Sequence, residues 1–155
     1  MFLEKPYQVS YVTADLEAAM ALFREQYGVA RFRVLSDGSG PGMRAWTPAG
    51  EGEMRVRVAV ARLGDMVLEL MEPVDGLVDI YRDFLVPGQP VRLHHLAMMC
   101  DDIDRVRAES EAMGRPVALA GESGGLRLIY VDARASLGHY LEYVQPPPAK
   151  VSPAG

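Results

Sequence analysis

Residues 7–16, YQVSYVTADL, decide the fold, because their plan returns at residues 94–103 as HHLAMMCDDI. Each stretch reads as an apolar strand running into a helix start. With Gln8 set against His95, Asp15 falls on Asp102 and Leu16 on Ile103. An aspartate at that point can accept a hydrogen bond from a free amide of the first helical turn, which makes it an N-cap. The helix patterns that follow end at Gly28 and Gly114, and glycine suits the left-handed residue past a helix end. Further along, LGDMVLELMEP at 63–73 matches LGHYLEYVQP at 137–146. Both carry Leu-Gly, a short apolar run and a glutamate four residues ahead of a proline. Proline lacks the amide needed for central pairing, so it closes a strand. The first copy has one extra residue between its glycine and its glutamate.

A repeat of this size sets the architecture. It predicts an α+β fold of two tandem βαβββ modules forming a paired, cupped eight-stranded mixed sheet. The first module covers residues 1–73, a linker 74–91, the second module 92–148, and a disordered tail 149–155. The remaining strands are expected at about 30–36, 54–62, 116–120 and 126–132. Residues 36–53, SDGSGPGMRAWTPAGEGE, read as a mobile loop, and the linker holds a short helix within LVDIYRDFL. Neither module hides both faces of its sheet alone, so the two should pack together.

The bulk numbers fit this plan. A chain of 155 residues, 49% hydrophobic and 24% charged, has the material for a core that needs no disulfide or metal staple. The single Cys100 forms no internal bridge, which suits a reducing cytoplasm. No apolar run approaches the roughly 20 residues that span a bilayer. The first residues lack the charge pattern and cleavage site of a secretory leader, so the start reads as mature sequence. A net charge of −5 with mixed signs argues against a nucleic-acid surface. Arg55, Arg57 and Arg62 stand close together and amount at most to a local anion anchor.

Side chains alternate along a strand, so parity sorts them by face. Gln8, Ser10 and Val12 share one face, and Tyr7, Val9 and Tyr11 the other. His95 goes with Ala97 and Met99, Glu69 with Val67 and Met71, Glu142 with Tyr140 and Val144. If the two sheets face each other, Gln8, Glu69, His95 and Glu142 converge from matching places in the repeat. Two buried carboxylates repel each other and are costly to desolvate, a conflict that a divalent cation removes. One amide oxygen, one imidazole and two carboxylates suit Mn, Fe, Ni, Co or Zn better than a thiolate-loving ion. Any one of the four, taken alone, is more often ordinary structure. His94 points away from His95 if the strand is regular, and is not counted as a ligand. Tyr140 and Met99 fall on the ligand face as candidate substrate contacts, and Trp46 on the loop is a candidate lid. His139 precedes Tyr140 at the pocket rim or in solvent.

On QVSYVTADLEAAM, VLELMEP, LHHLAMMCDDID and LGHYLEYVQ, the chain resembles the vicinal oxygen chelate superfamily over about residues 6–145. This is the glyoxalase and bleomycin-resistance fold, and the closest branch is the methylmalonyl-CoA epimerase and glyoxalase-like one. The resemblance places the four ligand positions on Gln8, Glu69, His95 and Glu142. It implies that a metal-stabilised, enolate-like charge develops when a proton leaves the carbon beside a carbonyl. The expected function is therefore a divalent-metal-dependent isomerase, epimerase or lyase acting on a small carbonyl or acyl substrate, with no organic cofactor. The base is expected at Glu142, which can leave the metal, or at Glu53, which lies where epimerase-like members carry a glutamate. The resemblance also implies a homodimer. The alternative is a non-catalytic, sequestering binder of the same fold. An extradiol dioxygenase would need a second histidine that this set lacks.

Overall fold

The computed structural model describes residues 3–149. Nearly all of the expected tail, residues 150–155, lies outside them. The first module holds β1 (Pro6–Val12), α1 (Leu16–Tyr27), β2 (Arg33–Asp37), β3 (Met43–Thr47), β4 (Gly50–Leu63) and β5 (Met66–Gly76). A short helix α2 (Asp79–Arg82) leads to the second module: β6 (Arg92–Met99), α3 (Ile103–Ala112), β7 (Val117–Ser123), β8 (Leu126–Asp132), α4 (Arg134–Leu137) and β9 (Tyr140–Gln145).

The duplication is visible in the bonds. Asp15 accepts from the Ala18 amide at 3.0 Å and Asp102 from the Arg105 amide at 3.0 Å, so both aspartates are N-caps. Each cap contributes about 1 kcal/mol to its helix. A second tie repeats as well. Glu72 Oε2 accepts from the Leu16 amide at 2.7 Å, and Gln145 Oε1 accepts from the Ile103 amide at 2.9 Å. The last residue before each closing proline therefore holds the first turn of its own module's helix. Within each module the first and last strands run parallel, Ser10 beside Glu69 and Ala97 beside Glu142.

The sheet closes on itself. Its order is β4-β3-β7-β8-β9-β6-β1-β5 and back to β4. The modules meet at two antiparallel seams, β1 against β6 and β3 against β7. One strand place is shared, because β3 pairs with the first part of β4 and β2 with its later part. The nine strands thus fill eight places in the ring. This corrects the reading of 36–53 as one mobile loop. Gly38 and Gly40, at φ of 82° and 78°, do turn the chain. MRAWT beyond them alternates regularly, with Met43 and Ala45 packing inward and Arg44 and Trp46 exposed, and so pairs as a strand.

Helix α1 lays Leu16, Ala19 and Met20 over Ala59, Ala61, Leu68 and Leu70 on one outer flank. Helix α3 lays Ile103 and Val106 over Met98, Ile129, Val131 and Leu141 on the other. Each fully buried leucine or isoleucine contributes roughly 1.5–3 kcal/mol. The third cluster is enclosed by the ring and includes Val58, Met71, Tyr81, Tyr130 and Tyr140. The ligand face looks onto it.

Candidate metal centre

Two bulges aim the site. In the β1–β6 seam, Pro6 stands against Met98 and Gln8 against Ala97, so Tyr7 is the extra residue. Ser10 stands against His95 and Tyr11 against Leu93, so His94 is the extra residue. Each bulge immediately precedes a predicted ligand, in positions related by the repeat. A bulge breaks alternation and re-aims a side chain. Tyr7 accordingly lines the interior beside Gln8, and His94 is fully buried beside His95. The parity expectation for both residues assumed a regular strand, and the strand is not regular.

The buried histidine pair has a definite proton order. His94 Nε2 lies 2.9 Å from the Ile80 carbonyl, which only accepts, so Nε2 carries the hydrogen. Burial holds His94 well below the ordinary imidazole range, with His95 adding to the effect, so its Nδ1 is bare. His95 Nδ1 lies 2.9 Å from that bare nitrogen and must donate to it. His95 Nε2 is buried and has no hydrogen-bond partner among the described residues. Two carboxylates approach it, Glu142 Oε2 at 3.3 Å and Glu69 Oε1 at 3.5 Å.

A lone pair facing carboxylate oxygens is unfavourable unless a cation or proton lies between them. The spacing suits a cation. Two donors bound at roughly 2.1 Å with a tetrahedral angle between them stand roughly 3.4 Å apart. Among the described residues no group of three His, Cys, Asp or Glu side chains is placed to hold a metal ion by itself. Here the imidazole is the hub, and the carboxylates approach it separately. Ser10 Oγ donates to Glu69 Oε1 at 2.9 Å. Burial pushes the Glu69 carboxyl up to about 7; His95 opposes this, Glu142 adds to it, and hydrogen bonds from Ser10 and Gln8 oppose it. In donor chemistry, one carboxamide, one imidazole and two carboxylates suit a divalent ion, and Gln8, Glu69, His95 and Glu142 are the residues that would hold it.

Gln8, Glu69 and Glu142 open onto a hollow of about 360 Å³. Its walls are mostly apolar, with Met43, Met54, Met71, Leu126, Leu128 and Val144 among them. Tyr81 and Tyr130 also line it, and Tyr81 Oη donates to Tyr130 Oη at 3.0 Å. Burial raises both phenols well above their usual range, so they remain neutral O–H groups. Two hydroxyls share one bond, and one proton is left without an acceptor among the described residues.

Residues 7–130 match the model of the Glyoxalase/Bleomycin resistance protein/Dioxygenase superfamily. The chain belongs to that superfamily. Solved structures of similar fold include methylmalonyl-CoA epimerase from Mycobacterium tuberculosis, at 16% identity and a TM-score of 0.57, covering 95% of this chain and 91% of that one. An engineered Streptomyces coelicolor methylmalonyl-CoA epimerase, in complex with 2-nitronate-propionyl-CoA, gives 19% and 0.59, covering 91% and 96%. A hypothetical protein from Bacillus halodurans C-125 gives 16% and 0.58, covering 92% and 94%. At these identities the likeness concerns the fold. Comparison with curated proteins gave no match.

In this glyoxalase-superfamily chain the other predicted site residues disperse. Glu53 is exposed on β4, facing away from Met54, and does not line the hollow. Met99 is 38% exposed at the end of β6, beside Cys100 and Lys5. Trp46 stands on the outer face of β3 under the Arg107 guanidinium, 5.8 Å from its ring centre, so it is no lid. Tyr140 is buried on the ligand side but packs against Phe84 and His94, beneath the hollow's wall. His139 bonds the Tyr140 carbonyl at 2.8 Å. Sequence reasoning missed His94, Tyr81 and Tyr130. Two adjacent buried histidines in one strand were the available signal for a bulge. Tyr81 comes from the linker, where no repeat pointed to it.

Proposed function

We propose that this chain is a divalent-metal-dependent isomerase, epimerase or lyase that moves a proton at the carbon beside a carbonyl. The observation that carries the reading is the buried Nε2 of His95, which has no hydrogen-bond partner among the described residues and faces Glu69 and Glu142. A divalent ion held there supplies Lewis acidity to neighbouring oxygens of the substrate. A metal-bound imidazole and carboxamide are neutral, so with two ionised carboxylates the donors would carry about −2 and balance the ion.

The chain's own groups supply the rest. Glu142, 7% exposed and opening onto the hollow, is the proposed proton acceptor. The spare O–H of the Tyr81–Tyr130 pair is placed to donate to a substrate oxygen as negative charge builds on it. The apolar walls exclude water from that charge. Glu53 is not carried forward as the base, because it lies outside the hollow. Zn, Ni, Co, Mn and Fe all suit the donor set. The homodimer remains a proposal from the family resemblance. No helix among the described residues is long and apolar enough to cross a membrane.

The test is solvent deuterium uptake. Metal-loaded protein is incubated in heavy water with methylmalonyl-CoA and, separately, with the hemithioacetal of methylglyoxal and glutathione. Exchange or turnover with one of them, lost in Glu142→Gln, is the expected result. Tight binding with no exchange and no metal dependence would favour a sequestering protein instead.

A further inference from the structure

The three clustered arginines of the sequence part company in the structure. Arg55 pairs with Asp75 at 3.3 Å. Arg57 pairs with Glu17 at 2.6 Å and Glu72 at 3.0 Å. Arg62 has no hydrogen-bond or ion-pair partner for its side chain among the described residues, and the same is true of Arg31 and Arg33. These three exposed guanidinium groups line one hollow of about 470 Å³ on the first module, and no carboxylate lines it with them. In a chain of net charge −5, an unneutralised group of three cations is out of keeping with the rest of the surface.

The hollow adjoins the candidate metal centre. Gln8 and Leu35 line both spaces. The strand register gives the path between them. On β4, Val60 stands opposite Glu69 and Arg62 opposite Val67, and Val67 stands beside Gln8 in β1. Val60 and Arg62 share the face that looks inward, and both line the hollow. A step of two residues along a strand covers roughly 7 Å. Arg62 therefore begins one such step beyond the level of Glu69, and Arg33 reaches the same space from β2.

We propose that Arg31, Arg33 and Arg62 form an oxyanion subsite for the tail of the ligand whose head lies at Gln8, Glu69, His95 and Glu142. The substrate class is then a carbonyl or acyl compound with a phosphate or carboxylate several bonds from its reacting end. Guanidinium forks match such oxyanions in a bidentate manner, and three of them with no internal partner leave their donors free for the ligand. Their exposure makes the attraction sensitive to salt. This proposal rests on the metal-centre reading for the ligand's head, while the arginine hollow stands on its own geometry.

The experiment compares two probes on metal-loaded protein by calorimetry. One is a hydroxamic acid whose short alkyl chain ends in a phosphonate; the other ends in a methyl group. The phosphonate should bind roughly tenfold tighter or better at low salt. The triple variant Arg31→Gln, Arg33→Gln, Arg62→Gln should remove that preference and leave acetohydroxamic acid binding unchanged. Equal affinities in the wild type, or a preference that survives in the triple variant, would overturn the subsite. If neither hydroxamate responds to metal, the metal-centre reading is what has failed. Propylphosphonate then tests the hollow alone: binding that the triple variant loses supports it, and no binding overturns it.

Discussion

At the residue scale, the proton order of two adjacent histidines organises the candidate site. The Ile80 carbonyl fixes the hydrogen on His94, and His94 in turn fixes the hydrogen on His95. A partner on the far nitrogen orients a ligating imidazole and sets its tautomer. Replacing His94→Phe keeps a ring among Tyr81, Phe84 and Tyr140 and removes only the relay. Metal affinity measured by calorimetry should fall roughly 10- to 100-fold while the far-ultraviolet spectrum of the fold is retained. Unchanged affinity would mean that the relay is incidental. Glu69 offers a pH test on metal-free protein. Its folded pKa is raised, so its contribution to stability is fully present below the unfolded carboxyl range and is lost as pH rises through about 7. The melting temperature of the wild type relative to Glu69→Gln should therefore decline across that window. A difference that stays flat, or grows with pH, would contradict the burial of this carboxyl. Metal affinity should rise over the same window, because a ligating carboxylate must be ionised.

At the element scale, the bulges at Tyr7 and His94 decide what faces inward. Strand positions, both N-caps and the pairing of Glu69 with Glu142 could be read from the repeat, because those features depend on local pattern. The bulges could not, since one extra residue in a pairing leaves no mark on apolar periodicity until its partner strand is known. Strand β3 was hidden for a different reason: glycines and prolines flank MRAWT on both sides, and only Trp46 and Thr47 in it are strong strand formers. Trp46, inferred from that supposed loop, was misplaced along with it, and Glu53, drawn from the family resemblance, falls on the exposed face of β4. The end of β5 carries its own test. Gly76 has a φ of 81°, and a Cβ there would run into the Glu53 carbonyl oxygen. Gly76→Ala should cost roughly 2–3 kcal/mol in chemical denaturation. A loss below about 0.5 kcal/mol, the level of a neutral surface change, would contradict the close approach of β4 and β5 at that point.

At the scale of the whole molecule, the ring ties the modules together twice, through β1 and β6 and through β3 and β7. The enclosed cluster draws on both, with Val58 and Met71 from one module and Tyr130 and Val144 from the other. Neither half can cover that cluster alone. Heating should give a single transition, with calorimetric and van't Hoff enthalpies equal. Two separated transitions would show modules that fold independently. The duplication was legible from Gln8 against His95 outward, but the closing seam was not, because it joins β3 and β7, which share no repeated motif.

The proposed chemistry requires one ion held by both halves at once. X-ray absorption on the cobalt-loaded protein, with the bound metal counted per chain, addresses this directly. One ion per chain should appear in a shell of nitrogen and oxygen donors with a single imidazole, and that imidazole signal should vanish in His95→Ala. A chain that takes up no cobalt, or a shell that contains sulfur or is unaltered by His95→Ala, would contradict the account.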